Sequence, residues 1–209
     1  MSSSGCSGAV LAGGASTRFA GAAKGLLEVS GRRVVDRVVD ALRGAVDELF
    51  LITNDAQIAE AIGTVRVFGD VRRERGSLVG LHSALTHCQT AVIVTAWDMP
   101  FLPSALLTNL RELGEAHAAA AVPEGSKGPE PLCAYYPRSC LAIAEQQIDR
   151  GELRLSAFVE ALPARVIVPR AELARFGSPA QLFANVNTAA DLATAQRLAD
   201  LAERLSERR

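Results

Sequence analysis

Short apolar runs that alternate with amphipathic helical segments are the feature that most constrains the fold of this chain. Several of these runs are apolar at successive positions, which is typical of strands covered on both faces. The predicted strands are 8–12, 48–53, 64–69, 91–96, 117–122 and 164–168. The predicted helices are 33–44, 55–62, 79–88, 103–115, 137–149 and 188–205. The alternation predicts an α/β fold with a three-layer, doubly wound, mostly parallel sheet, whose ligands bind at the edge where the strands end.

Local sequence marks support several of these boundaries. Pro103 and Ser104 are expected to open the helix that follows strand 91–96. Thr188 and Asp191 have capping-box spacing ahead of the last helix. Residues 124–130 (EGSKGPE) are rich in turn formers, and we expect a loop there.

The chain shows no internal repeat and no low-complexity linker, so we expect a single domain over residues 1–209. Residues 1–7 are expected to be disordered, and 203–209 to form a frayed helix end. With 49% apolar residues, the chain can bury a sizeable core.

Charge and cysteine content argue against several classes of function. The formal net charge is -1, whereas nucleic-acid binders usually carry a basic excess. The four cysteines form no CxxC pair, which argues against a zinc site and favours free thiols. No secretion signal and no apolar run of about 20 residues is present, so we expect a cytoplasmic protein without a membrane span.

A glycine loop follows the first predicted strand, in the run VLAGGASTRFAGAAKG (Val10 to Gly25). Adjacent glycines Gly13 and Gly14 let successive backbone N–H groups surround an anion. Neither the dinucleotide fingerprint nor the P-loop pattern is matched. Arg18 and Lys24 could neutralise a polyphosphate here, although an ordinary turn with two solvated cations is the alternative.

Two aspartates follow strands on the same predicted edge. Asp98 comes just after strand 91–96 and could hold Mg²⁺ against phosphates, or could merely cap the next helix. Asp70 ends strand 64–69, where a turn aspartate is the alternative. Further along, Asn185 and Asn187 face the same way if the run FANVNT is extended.

The ordered set of motifs resembles the sugar-nucleotide and cofactor nucleotidyltransferases of the GT-A-like, nucleotide-diphospho-sugar transferase fold. The run LAGGASTRFAGAAKGLLEVSGRRVVDRV looks in particular like the molybdenum cofactor guanylyltransferases. Further matches are TAWDMPFLP, VRRERGSLVGLHSAL, PLCAYYP, GELRLSAF and FANVNT, so the resemblance spans residues 8–192. The sequence departs from the usual pattern at Phe19, Ala23, Ser77, Trp97 and Glu130; Trp97 stands where a cysteine is usual.

The resemblance implies a role for each candidate residue. Arg18, Lys24 and Asp98 would be catalytic, with Asp98 as the Mg²⁺ ligand. The nucleotide would be bound by Leu11, Ala12, Gly13, Gly14, Lys24, Asn54, Asp70 and Asp98, with Asp55 as a rival to Asn54 in register. The pterin side would be formed by Gly80, Arg154, Asn185 and Asn187.

The resemblance also implies the reaction, which is Mg²⁺-dependent transfer of GMP from GTP to the terminal phosphate of molybdenum-molybdopterin, with release of pyrophosphate. Molybdoenzyme chaperones or cofactor-insertion proteins would be further partners. Alternatives are a cytidylyltransferase or a sugar-phosphate nucleotidyltransferase of the same fold, or a non-catalytic GTP-binding relative. LAGG rather than LAAG argues against cytosine, and the late motifs argue against a sugar phosphate.

Overall fold

A mixed β-sheet with helices on both faces forms the centre of the molecule. The computed structural model describes residues 5–13, 18–19, 22–63 and 65–206, with backbone alone at residues 18, 19, 22, 202, 203, 205 and 206. The strands are β1 (Cys6–Leu11), β2 (Arg18–Phe19), β3 (Ala22–Ala23), β4 (Glu28–Val29), β5 (Arg32–Arg33), β6 (Glu48–Ile52), β7 (Arg66–Phe68), β8 (Ala91–Ala96), β9 (Ala120–Gly125), β10 (Gly128–Pro129), β11 (Cys133–Pro137) and β12 (Arg165–Val168).

The main sheet has the order β10-β9-β11-β8-β1-β6-β7, and β12 pairs with β9. Strands β7, β6, β1 and β8 are parallel, and β11 is antiparallel to both β8 and β9. Strand β9 therefore runs in the same direction as β8, as does β12, which is parallel to β9. Pairs β2–β3 and β4–β5 form two small hairpins outside this sheet. The predicted mostly parallel sheet is confirmed.

Helices cover the sheet on both faces. They are α1 (Val34–Arg43), α2 (Ala56–Ile62), α3 (Ser77–His87), α4 (Ser104–His117), α5 (Leu141–Asp149), α6 (Leu155–Ala161), α7 (Arg170–Leu173), α8 (Pro179–Leu182) and α9 (Ala189–Ser206), with 3-10 turns at Lys24–Leu26 and Arg138–Cys140. Helices α1, α2 and α4 bury apolar side chains in one core, and α3, α5 and α6 in another on the opposite face. A smaller core joins α9 to the β4–β5 hairpin and the start of α1. The three-layer arrangement is thus confirmed.

The carboxyl ends of the parallel strands meet at one edge of the sheet. Leu11 at the end of β1 is in register with Ile52 of β6 and with Ala96 of β8, and Ile52 is in register with Phe68 of β7. We call this the carboxyl edge. The segments that follow these four residues carry most of the candidate site residues.

The boundary between α4 and β9 was predicted wrongly. The sequence predicts a strand over 117–122, but α4 continues to His117 and ends at Ala118, which has a left-handed φ of 49°. Strand β9 begins only at Ala120 and extends to Gly125. The run HAAAA is short and apolar, so periodicity cannot fix where the helix ends and where the strand begins.

The structure also differs from the predicted elements in other places. The loop expected over 124–130 is partly a hairpin between β9 and β10. Helix α6 lies in a segment for which no element was predicted. Strand β1 begins at Cys6, inside the segment 1–7 that was expected to be disordered, while residues 1–4 lie outside the described residues. Helix α9 extends to Ser206, beyond the start of the expected frayed end.

The predicted capping box is confirmed. The Thr188 hydroxyl accepts a hydrogen bond from the Asp191 backbone N–H at 3.2 Å, and Asp191 Oδ2 accepts one from the Thr188 N–H at 2.8 Å. All four cysteines are free and buried, as expected for free thiols. Within the described ranges, no helix is both long enough and apolar enough to cross a membrane.

Candidate active site

Three candidate residues from distant parts of the chain meet at the carboxyl edge. Lys24 Nζ lies 2.5 Å from Asp98 Oδ2 and donates a hydrogen bond to Asn187 Oδ1 at 2.7 Å. The Lys24 and Asp98 side chains are only 12% and 7% exposed. Because both charges are largely removed from water, their attraction is screened less than that of a surface ion pair. We call these three residues the lysine cluster.

The backbone on both sides of Asp98 is anchored by hydrogen bonds. Trp97 donates its N–H to the Leu11 carbonyl at 3.3 Å, which ties the end of β8 to the end of β1. The Asp98 carbonyl accepts from the Val186 N–H at 2.9 Å. Asp98 is therefore positioned by β1 and by the segment that carries Asn187.

The alternation predicted for the run FANVNT is present. Val186 is buried, whereas Asn185 and Asn187 are both exposed. Asn187 is held further by its backbone N–H, which donates to Asp191 Oδ2 at 3.1 Å. Asn187 reaches Lys24, whereas Asn185 borders a small cavity of about 180 Å³ between this segment and the first turns of α9.

A second polar pair lies at the ends of β6 and β7. Asn54 Nδ2 donates to Asp70 Oδ2 at 2.7 Å, and the Asp70 N–H donates to Asn54 Oδ1 at 2.8 Å. Partial burial raises the pKa of the Asp70 carboxyl, against the opposing effect of the neighbouring Asn54 and Ser83 side chains. We call Asn54 and Asp70 the amide pair.

The structure separates Asn54 from its rival, Asp55. Asp55 is the N-cap of α2, and its carboxylate accepts from the N–H groups of Gln57 at 2.9 Å and Ile58 at 3.3 Å. This is ordinary helix capping. Asn54 is exposed at the carboxyl edge and is the member of the two that faces Asp70.

The glycine loop is only partly described. The Ala12 N–H donates to the Ile52 carbonyl at 2.9 Å, which extends the pairing of β1 and β6 by one residue. Gly13 is exposed, and a Cβ added there would meet no atom within 4 Å in the part of the chain that the structure describes. Gly14 and the Arg18 side chain lie outside the described residues, while the Arg18 backbone pairs with Ala23, next to Lys24.

Two residues predicted for the pterin side, Gly80 and Arg154, contact parts of the protein other than the lysine cluster. Gly80 is buried in α3, and a Cβ there would lie 3.2 Å from Leu11 Cδ1. Arg154 is 74% exposed and is paired with Glu152, at 3.0 Å from Nε and 2.9 Å from Nη2. Among the contacts of the described residues, none joins either of them to the lysine cluster.

Residues 8–166 of the chain match the MobA-like NTP transferase domain. The chain belongs to the MobA-like NTP transferase family. It is 33% identical over 191 residues to a molybdenum cofactor guanylyltransferase of Desulfosudis oleivorans, which covers 90% of this chain and 93% of the relative. A molybdenum cofactor guanylyltransferase of Yersinia pseudotuberculosis is 30% identical over 186 residues, covering 88% of this chain and 91% of the relative.

A solved structure that is similar in sequence and in fold supports the architecture. The molybdopterin-guanine dinucleotide biosynthesis protein A of Archaeoglobus fulgidus superposes with a TM-score of 0.79 at 29% identity. The alignment covers 93% of this chain and 98% of that one. The GT-A-like nucleotidyltransferase fold expected from the sequence is therefore confirmed.

The lysine cluster fits a magnesium ion that takes few ligands from the protein. Within the described part of the chain, no three His, Cys, Asp or Glu side chains group closely enough to hold a metal. Mg²⁺ is nevertheless commonly bound through one or two carboxylates, with waters and substrate phosphates completing its shell. Asp98 and the amide oxygen of Asn187, joined by Lys24, provide oxygens of this type.

Ser83 belongs to the candidate site but was not predicted from the sequence. It is fully buried in α3, and its hydroxyl accepts from the Val71 N–H at 2.9 Å, directly after Asp70. It also donates to the Val79 carbonyl at 2.9 Å. A serine within the apolar run of α3 could have indicated a buried polar contact, but its partner depends on tertiary packing.

Proposed function

We propose that this protein transfers GMP from GTP to the terminal phosphate of molybdenum-molybdopterin, releases pyrophosphate and forms the guanine dinucleotide cofactor. The observation that carries the proposal is the lysine cluster, which gathers a cation, a carboxylate and an amide at the carboxyl edge. The family and the names of its relatives support the choice of nucleotide and acceptor.

The reaction needs no nucleophile from the protein, because the acceptor phosphate itself attacks the α-phosphorus of GTP. Both reactants are polyanions, so catalysis depends on positioning and on charge neutralisation. Lys24 supplies a positive charge and can exchange the Asp98 carboxylate for phosphate oxygens. Arg18 would add a second cation, as predicted from the sequence.

When Mg²⁺ is bound, it supplies further neutralisation of the nucleotide phosphates, and Asp98 is the residue placed to hold it. Asn187 orients Lys24 through its amide oxygen and can offer the same oxygen to the ion. The hydrogen bond from the Val186 N–H to the Asp98 carbonyl joins the segment that carries Asn187 to the one that carries Asp98. Mg²⁺ dependence is part of the proposal.

Guanine would bind beside β1, between Gly13 and the amide pair. No atom of the described residues fills the Cβ side of Gly13, and Asn54 and Asp70 offer donor and acceptor groups at the next strands. A site built around the donors of guanine can reject adenine and cytosine, because their mismatched polar groups are left unpaired.

Two measurements test the proposed function. Tight binding raises stability by RT ln(1 + [L]/Kd), so GTP with Mg²⁺ should raise the Tm more than CTP or ATP does. Pyrophosphate should then be released only when molybdopterin is added with GTP. Preference for CTP would indicate the cytidylyltransferase, release with a sugar 1-phosphate would indicate the sugar-phosphate enzyme, and binding without release would indicate a non-catalytic relative. Delivery to molybdoenzyme chaperones or insertion proteins, and a cytoplasmic location, stay predictions.

A further inference from the structure

An indole ring packs directly over a glycine next to the lysine cluster. Gly25 is buried, and a Cβ added to it would lie 2.3 Å from Cε3 and 2.6 Å from Cδ2 of Trp97. Real Cβ atoms essentially never approach other heavy atoms this closely. Trp97 is itself 1% exposed, so the ring has little room to move away. The contact therefore requires glycine at position 25.

This contact joins the two segments that carry the ion pair. Gly25 directly follows Lys24 in the 3-10 turn Lys24–Leu26, and Trp97 directly precedes Asp98. The same two segments are linked again by the bond from Lys24 Nζ to Asp98 Oδ2. The position of the lysine backbone relative to the carboxylate is thus set by the distance between the Gly25 backbone and the ring.

The contact with Gly25 is made by the carbon face of the indole. The three atoms nearest to a Cβ built at residue 25 are Cε3, Cδ2 and Cζ3 of Trp97. The flat surface of the ring is therefore the part of Trp97 that faces the turn carrying Lys24.

We infer that Trp97 is a positioning residue, whose indole packs on Gly25 and thereby sets where Lys24 stands relative to Asp98 and Asn187. Its importance for turnover rests on the proposed function, but its effect on Lys24 does not. Trp97 acts through Lys24 and is not itself assigned a contact with substrate.

The main test is Gly25→Ala, because this glycine has no left-handed φ and the substitution adds only the clash. The chain has two lysines, and Lys127 is exposed, so it is an internal reference for amine labelling followed by mass spectrometry. We expect Lys24, protected in the wild type, to be labelled several-fold faster relative to Lys127 in the variant. For turnover, a displacement of about 1 Å can cost on the order of 100-fold in kcat/KM.

Gly114→Ala is the matched control. A Cβ at Gly114 would lie 2.0 Å from Cδ1 of Tyr135, so it creates the same kind of clash with a buried aromatic ring, but in α4. This variant should lose stability without a change in Lys24 labelling. Adding Trp97→Leu to Gly25→Ala should restore part of the Lys24 protection, since the smaller side chain makes room for the methyl group.

The outcomes separate the inference from the proposed function. Unchanged Lys24 labelling in folded Gly25→Ala, or an equal change in Gly114→Ala, would overturn the positioning role. If Gly25→Ala does not fold, Trp97→Phe is the variant to test. The smaller phenyl ring should also increase the rate of Lys24 labelling. An unchanged labelling rate would count against the inference. Labelling needs no substrate, so the two proposals are tested separately. A wild-type protein that does not bind GTP would refute the proposed function and would not affect the positioning role of Trp97. Fluorescence of Trp97, the one tryptophan in the sequence, should shift in Gly25→Ala and not in Gly114→Ala.

Discussion

The lysine cluster and the amide pair lie at the same carboxyl edge but are built differently. Lys24 and Asn187 are 163 positions apart in sequence, and the cation is largely buried with its counter-ion. Asn54 and Asp70 are 16 positions apart, and Asn54 is exposed. The lysine cluster holds two opposite charges largely out of water. The amide pair, in contrast, presents hydrogen-bonding groups to water.

This difference determines which substitutions are informative. Removing one member of a buried ion pair leaves the other charge uncompensated and typically costs about 3–5 kcal/mol. In the lysine cluster, loss of activity must therefore be separated from loss of fold by isosteric variants. In the amide pair, a substitution should alter nucleotide binding with little change in stability.

The largest effect is expected for Asp98→Asn, which keeps the shape of the side chain and removes its charge. Because Asp98 is the residue placed to hold Mg²⁺, we expect kcat to fall by about 10²–10³, as for loss of one preorganised electrostatic contact. The free energy of unfolding should fall as well, since Lys24 loses its counter-ion. Pyrophosphate release and chemical denaturation measure the two effects separately.

Lys24→Met is the partner control for that experiment, because it removes the other charge while keeping most of the side-chain length. Asp98→Asn and Lys24→Met should each be nearly inactive and less stable than the wild type. The double variant should lose less free energy of unfolding than the two single losses added together. A folded Asp98→Asn protein with full activity would remove Asp98 from the proposed metal site.

Gly13→Ala tests the loop directly after β1, the strand that lies between the lysine cluster and the amide pair. Its effect should be smaller than that of Asp98→Asn. The added methyl group meets no atom of the described residues within 4 Å, so we expect little change in the Tm without nucleotide. If guanine binds there, crowding should raise KM for GTP about 10-fold, in line with an overpacking cost of about 1–3 kcal/mol. Equal loss of ATP and GTP binding would place the phosphates, not the base, beside Gly13.

Some features of the site followed from the sequence because they depend on local pattern. Thr188 and Asp191 were predicted from capping-box spacing, and the alternation of Asn185 and Asn187 from the period of an extended chain. Lys24 and Asp98 were named from the glycine loop and the strand end. Their roles stay proposals, although the structure brings Lys24 and Asp98 together.

Contacts between distant segments could not be predicted in this way. The glycine loop pointed to Lys24, and the resemblance assigned Asn187 to the pterin side, but neither could show that the two side chains bond to each other. The packing of Trp97 on Gly25 depends on how two loops meet, which no periodicity encodes. Asn54 and Asp55 differ by one position, and what distinguishes them is tertiary: Asp55 caps α2, whereas Asn54 bonds to Asp70.

Asp191→Asn tests the support behind Asn187 and should have a modest effect. The hydrogen bond with the Thr188 side chain is the main reason that the pKa of Asp191 is lowered, with contributions from the backbone N–H groups of Asn187 and Thr188. The ionised Asp191 carboxylate therefore stabilises the fold above the ordinary aspartate pKa. This stabilisation is lost as the pH falls through the lower pKa that Asp191 has in the folded protein. At pH 7, Asp191→Asn should cost about 1 kcal/mol, a typical helix-cap loss, and the difference from wild type should shrink in acid. A difference that persists unchanged at low pH would contradict a role for the charge.

Asp70→Asn should have the smallest effect on stability, and of the opposite sign. Burial raises the pKa of Asp70, so folding favours the protonated form, and stability from this group is present below the ordinary pKa and lost as the pH rises through the folded value. An asparagine carries no charge to desolvate and can still accept from Asn54, so the variant should be as stable as wild type or slightly more stable at pH 7. GTP binding should nevertheless weaken, if Asp70 contributes to the nucleotide site. A variant that is less stable and binds GTP normally would show that the amide pair holds β6 and β7 together and takes no part in recognition.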